Sequence, residues 1–328
     1  MLGYPSHIMS PLRAAAICSY TFQDSSYHLP VIYYGYDLHY LRITRQYELT
    51  GDESLRELAT YYKSIEFIIM KKADVSYVPS QIEYDVIRSE DDSINVKTVT
   101  IFVFDKFDDE NQVDKYEASI SDETMVEGST NHVGADRHSD KSMDDSTALR
   151  VANHQGRRDI LFVGGFAHPP NVDAVKWFVA DVWDEIRSRI DARFIVVGSN
   201  PTDEIMKLND DTRDICIKGF VSDEELDALY KSVSMVAVPL RFGAGIKGKI
   251  IDALHAGKPI VTTSIGAEGI PDADSVMRIA DSKEGLMREI CELYQDEERQ
   301  AQMSKDAYRY VREHHSVDAV WNLIKDDF

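Results

Sequence analysis

The chain has 328 residues, 43% hydrophobic and 10% aromatic, enough for two packed domains and too apolar for global disorder. Its 36 basic and 57 acidic side chains leave a net charge of −21. That excludes a general binder of nucleic acid or anionic membrane, because phosphate-rich surfaces demand broad positive charge. No apolar stretch approaches the roughly 20 residues that span a bilayer. The opening "MLGYPSHIMSPLR" lacks the basic-then-apolar order of a signal peptide. A cytoplasmic location is therefore expected. Cys18, Cys216 and Cys291 are far apart, form no CxxC and read as reduced thiols.

In chain order, "HLPVIYYGYDLHYLR" predicts a strand at Val31–Tyr34 opening into a loop. Leu55, Leu58, Tyr62, Ile65 and Ile69 recur at helical spacing and predict a helix. "DVSYVPS" predicts a short strand, and Ser80 with Glu83 forms a capping box that starts the next helix. "VKTVTIFVF" is rich in β-branched residues and reads as a further strand. Residues 105–148 then hold 13 acids against 4 bases with no sustained periodicity, the composition of a disordered linker.

From Arg158 onward strands and helices alternate. "DILFVG", "RFIVVG", "DICIKG", "SMVAVP" and "PIVTT" are near-continuous apolar strands. The helix "NVDAVKWFVADVWDEIRSRI" presents Val172, Val175, Val179, Val182, Trp183, Ile186 and Ile190 on one face, and Ser222 with Glu225 caps another helix. Buried strands separated by amphipathic helices predict a parallel, doubly wound sheet, with its ligand at the carboxyl ends of the strands.

That rule singles out "RFGAGIKGK". It follows the strand "SMVAVP" and feeds a helix. Gly243, Gly245 and Gly248 let backbone approach a ligand closely, and Arg241, Lys247 and Lys249 concentrate positive charge there. A helix start adds unpaired N–H groups that favour anions. A diphosphate and a tight turn with solvated lysines are both consistent with the loop alone. Gly164 and Gly165 end another strand on the same rim, and Asp252 lies one helical turn beyond Lys249, suited to ribose hydroxyls. Neither a Walker A loop nor a dinucleotide fingerprint is present; Gly243–Gly248 matches GxGxxG by letters but follows a late strand. Asp272-Ala-Asp274 lies in a polar loop rather than at a strand end, and His314-His315 reads as a helix-end pair; no metal site is expected.

The blocks "DILFVGGFAHPPNVDAVKWFV", "IVVGSNP" and "IKGFVSDEELDALYKSVSMVAVPLRFGAGIKGKIIDALHAGKPIVTTSIGAEGI" together resemble the C-terminal domain of GT-B glycosyltransferases of the family-4, or group 1, type. "YYGYDLHYLR", "KSIEFIIMKKADVSYVPSQIE" and "VKTVTIFVF" look like the second half of that family's acceptor-binding domain. The resemblance implies an α/β fold of two Rossmann-like domains with parallel sheets. Residues 1–104 would be an incomplete acceptor-binding domain, 105–157 an acidic linker, and 158–328 the nucleotide-sugar domain with its C-terminal helices. It implies a retaining transferase that moves a sugar from a nucleotide-diphosphate donor to a glycan or lipid-linked acceptor in polysaccharide assembly. No cofactor or bound metal is required; the nucleotide sugar is a co-substrate.

Carried over by position, Gly164 and Gly165 would face the diphosphate, and Arg241, Lys247 and Lys249 would neutralise it. Asp252 would hold the ribose, and Gly219 and Phe220 would line the base. Gly243 and Gly245 would border the donor, Glu268 the sugar side, and His39 the acceptor side. Four departures stand out. Ala244 replaces a carboxylate that usually contacts the sugar. Phe166 and Asn171 stand where basic residues often follow the first strand. Tyr36-Asp37 replaces a His-Asp pair. On this resemblance the opening units of the first domain would be missing. These departures motivate the alternative of a non-catalytic, degenerate protein that binds a nucleotide sugar or a partner, with a partner subunit completing the first domain. An epimerase on the same fold is the third reading. Peripheral membrane contact stays open.

Overall fold

The protein, described by a computed structural model over residues 31–100, 102–105, 107 and 158–325, is built on two parallel sheets. The first has three strands in the order β1 (Ile32–Tyr34), β2 (Val75–Val78), β3 (Val96–Thr98). Between β1 and β2 run α1 (His39–Thr50) and α2 (Glu53–Lys72), and α3 (Gln81–Glu90) joins β2 to β3. Leu38, Tyr40, Met70, Val78, Ile87, Ile94 and Val96 form this unit's core.

The second sheet starts with β4 (Ile160–Val163), followed by α4 (Pro169–Trp177), a π-helical turn at Phe178–Val182, and α5 (Trp183–Arg187). Next come β5 (Phe194–Val197), α6 (Asp203–Met206), β6 (Ile215–Gly219), α7 (Asp223–Ser232), β7 (Met235–Val238), α8 (Gly248–His255), β8 (Ile260–Thr262), α9 (Ser264–Ala267) and β9 (Arg278–Ile279). Helices α10 (Lys283–Gln295), α11 (Glu297–His315) and α12 (Val317–Ile324) follow. The strand order is β6-β5-β4-β7-β8-β9, parallel throughout. The chain winds outward from β4 to one edge, then returns to build the other half from β7. The two halves diverge between β4 and β7, and in parallel sheets of this kind that divergence is the crevice where ligands bind at the carboxyl ends. Strands β5 and β7 are buried at every position, whereas edge strand β6 exposes Lys218.

Three local expectations are corrected. The predicted strand at residues 96–104 pairs only over Val96–Thr98. Beyond it Phe102 packs on Gly248, Phe104 N donates to His315 O at 2.8 Å, and the Phe104 ring stacks on His255 at 3.9 Å. The apolar residues that suggested a longer strand are spent on the crossing to the second unit. The loop expected after β1 is short, residues 35–38, and runs straight into α1 at His39. The long helix after β4 contains a π turn, which brings Phe178 as well as Val179, Val182 and Trp183 into the core. The Trp183 indole N–H donates to Arg213 O at 2.7 Å.

The chain crosses between units a second time at His315–Val317, beside the first crossing, where Phe104 bridges Ser316. Helix α12 then packs Val320 and Ile324 against Val75, Tyr77 and Val99 of the first sheet. Cys216 and Cys291 are free thiols; Cys18 and nearly all of the acidic linker fall outside the described residues. Among the described residues no helix is long and apolar enough to cross a membrane.

Candidate functional site

The crevice between β4 and β7 is lined by the two glycine-bearing loops. On the β4 side, Gly164 N donates to Val197 O, Phe166 N to Ser199 O and His168 N to Gly165 O. Pro169 and Pro170 carry no N–H at all. Most of this rim's backbone donors are thus consumed inside the protein, Gly164 included. Side chains take over. Asn171 is buried; its amide nitrogen donates to Gly165 O at 2.7 Å, and its oxygen accepts from Lys249 Nζ at 2.9 Å. A Cβ on Gly164 would lie 2.9 Å from the Asn171 amide, so glycine is what allows that close approach.

On the β7 side, Gly243 and Gly245 adopt positive φ of 151° and 70°, values that favour glycine. Helix α8 starts at Gly248 with no side chain capping its first turn. Lys247 is buried, donates to Gly245 O and lies 3.9 Å from Glu268 Oε1. Desolvation pushes its ammonium down to about 8, against the pull of Glu268. Lys249 is also pushed down to about 8, first by desolvation and then by Lys247. Both ammonium groups stand at the start of α8, where unpaired N–H groups and the helix dipole favour negative charge.

Arg241 takes a different position. Its Nε donates to Asp173 Oδ2 at 2.8 Å and its guanidinium lies 5.4 Å from the Trp177 ring centre, so it is committed to α4. Desolvation by the surrounding protein pushes the Asp252 carboxyl up to about 6, against the opposing pull of His255 and Lys249. At the end of β6, Gly219 has φ +70° and Phe220 is 76% exposed, an unsupported aromatic on the rim.

The first unit faces this crevice with α1. No side chain caps that helix locally. Two buried carboxylates do so instead. Glu83 accepts from Leu38 N at 3.1 Å, and Glu66 accepts from His39 N at 2.8 Å and from Tyr40 N at 3.3 Å. Ser80 still caps α3 through Glu83 N, but the Glu83 side chain reaches Ser80 Oγ and Leu38 N, not the backbone that a capping box requires. Burial pushes Glu83 up to about 7. His39 Nδ1 lies 3.0 Å from Glu66 Oε1, and its ring stacks on Tyr62 at 5.5 Å. The Glu66 hydrogen bond raises its pKa.

Contacts between the units converge on the donor loop. A Cβ on Gly245 would lie 3.1 Å from Asp37 Cβ and from Tyr36 O. Arg45 Nη1 donates to Gly243 O and pairs with Glu268 Oε2, both at 2.6 Å. His168, Arg45, Asn171 and Glu66 are the residues that sequence reasoning missed or left without a role. The surrounding protein, then Arg42 and Lys249, pushes the His168 imidazole down to about 4.

Residues 157–296 match the family of glycosyl transferases group 1. Over 117 residues the chain is 32% identical to an uncharacterized 44.6 kDa protein in the cps region of Klebsiella pneumoniae, a match covering 34% of this chain and 30% of that protein. Among solved structures, S. aureus TarM superposes with a TM-score of 0.57 at 14% identity, over 80% of this chain and 45% of TarM. Anabaena HepE in complex with UDP and glucose superposes with a TM-score of 0.57 at 13% identity, over 91% of this chain and 71% of HepE. The chain thus spans less than half the length of TarM, and its match to the Klebsiella protein covers under a third of that relative. The shared fold is the GT-B α/β arrangement expected above.

Proposed function

We propose that the chain is a glycosyltransferase that moves a sugar from a nucleotide-diphosphate donor to a glycan or lipid-linked acceptor, with retention of anomeric configuration. The observation that carries this reading is the pair Lys247 and Lys249, held desolvated at an uncapped helix start at the point where the sheet's two halves diverge. An acidic chain that concentrates a buried and a half-buried lysine there supports the reading of a site for a small polyanion.

In this reading the lysines and the α8 N-terminus stabilise the charge that develops as the diphosphate leaves. The family resemblance implies no bound metal, and these groups supply the neutralising charge. Asp252 accepts hydrogen bonds from the ribose, and Phe220 stacks on the base beside Gly219. Gly165 and Gly243 give the diphosphate close backbone approach. Arg241 joins only by leaving Asp173. His39 stands on the acceptor side with Nδ1 tied to Glu66, which leaves Nε2 to meet an acceptor hydroxyl.

Calorimetric titration with UDP, GDP and their common sugar conjugates tests the reading. The expected result is micromolar binding of one base, lost in Lys247→Ala, and transfer from that conjugate to an acceptor. Failure of every nucleotide to bind overturns it.

A further inference from the structure

Asp37 holds two side chains of α1 at once. Its Oδ2 accepts from Arg42 Nε at 2.9 Å, and its Oδ1 lies 3.4 Å from His39 Nδ1. His39 and Arg42 stand three residues apart on α1, so they share a face, with about 5–6 Å between their Cβ atoms. One carboxylate, with an oxygen for each, fixes the pair.

Both side chains end in unused groups. His39 Nδ1 is committed to Glu66 and Asp37, which leaves Nε2. Among the described residues the Arg42 guanidinium makes no hydrogen bond besides the one from Nε. Both Nη groups therefore lack a protein partner, although the side chain is only 16% exposed. The guanidinium faces the crevice: after desolvation, Arg42 is the largest cause of the lowered His168 pKa, and His168 belongs to the opposite rim, after β4. The other carboxylates nearby turn inward. Glu66 accepts from the N–H groups of His39 and Tyr40, and Glu83 from that of Leu38. A planar guanidinium with both terminal nitrogens free suits a group that offers two oxygens, a carboxylate or a phosphate. The diphosphate of the proposed donor has its own cations in Lys247 and Lys249 of the second unit, whereas Asp37 ties Arg42 to His39.

Resting on the glycosyltransferase reading above, we infer that the acceptor is an acidic saccharide, bearing a carboxylate or phosphate about one helical turn from its accepting hydroxyl, and that Arg42 is the specificity-determining residue that receives this anion. His39 Nε2 meets the hydroxyl, Arg42 grips the charged group, and Asp37 sets the spacing between them.

Saturation-transfer NMR on the full chain, with and without UDP or GDP, compares the methyl glycosides of glucose, galactose and mannose with their uronides and their 6-phosphates. At least one uronide or 6-phosphate should bind about tenfold tighter than its neutral parent, the scale of a charge-assisted hydrogen bond, and which of the two does so identifies the anion. Arg42→Gln should bring that ratio to about one. Arg42→Lys, which keeps the charge and loses the fork, should retain part of it. The readout is a ratio between ligands on one sample, which a general loosening of the first unit would not move, and thermal unfolding shows that each variant is folded. Acidic glycosides bound no better than their neutral parents, or a preference that survives in Arg42→Gln, overturns the inference. So does a loss in Arg42→Gln that falls on UDP or GDP alone, which assigns the guanidinium to the donor. If the unaltered chain binds no nucleoside diphosphate, the glycosyltransferase reading fails, and the same ligand ratios measured without nucleotide still decide the Arg42 assignment.

Discussion

Asn171 clamps Lys249: the amide that donates to Gly165 O at 2.7 Å accepts from Lys249 Nζ at 2.9 Å. One side chain ties the first strand's exit to the basic helix across the crevice. With its nitrogen committed to a carbonyl, the amide can present only its oxygen to the lysine. Asn171→Ala removes both bonds and frees an ammonium that desolvation already disfavours. Nucleotide-diphosphate affinity should fall about tenfold, the scale of one charge-assisted hydrogen bond. Affinity for the matching nucleoside should stay unchanged, and calorimetry with both ligands checks the contrast.

Binding should also depend on alkaline pH. Lys247 and Lys249 titrate near 8 in the free protein, and a bound diphosphate favours their charged forms. Affinity should be level below pH 7 and fall as pH rises through 8, by up to about tenfold per unit for each lysine. Titrations of UDP or GDP from pH 6.5 to 9.5 follow the slope, and Lys249→Met should flatten part of it.

Glu83 makes a separate prediction about folding. Desolvation raises its carboxyl from 4.5 to about 7, so between those values the folded state holds a proton that the unfolded chain has released. That contribution to stability is present below 4.5 and is lost as pH rises to 7, on the order of 3 kcal/mol for a shift of this size. Thermal or urea unfolding of Glu83→Gln should lack this slope and exceed the unaltered chain at neutral pH.

Phe220 exposes 76% of its surface and packs little of the fold, so Phe220→Ala should change stability by less than about 0.5 kcal/mol. If the ring stacks on the base, nucleotide affinity should drop about threefold to tenfold. Urea unfolding and calorimetry on the same sample separate the two effects.

A Cβ on Gly269, where φ is +84°, would meet Ile246 Cγ1 of the second unit and Ser80 Cβ of the first, each at 2.8 Å. Gly269→Ala should therefore cost about 1–3 kcal/mol through strain and overpacking. It should also weaken donor binding by parting the two units, a change that small-angle scattering of the variant would register.

The second sheet was legible because β4, β5 and β7 are uninterrupted apolar runs, and because a parallel sheet forces its ligand to the strand ends. The glycine loop, Lys247 and Lys249 could be placed on that rim for the same reason. What escaped notice depends on distance in space. Helix α1 has no local start signal, since its caps, Glu66 and Glu83, arrive from α2 and α3. Arg45 is an ordinary helical arginine until the second unit is set against it. Residues 99–104 have a strand's composition because crossing to another hydrophobic core demands the same side chains.

The paired crossings have a consequence for synthesis. One face of the first sheet, at Val75, Tyr77 and Val99, is covered by Val320 and Ile324 of α12. The sheet emerges from the ribosome early, but the helix that shields it is translated only after the whole second unit. Until then Val75, Tyr77 and Val99 lack the cover that Val320 and Ile324 give them, and this part of the first unit's packing waits on the other end of the described chain.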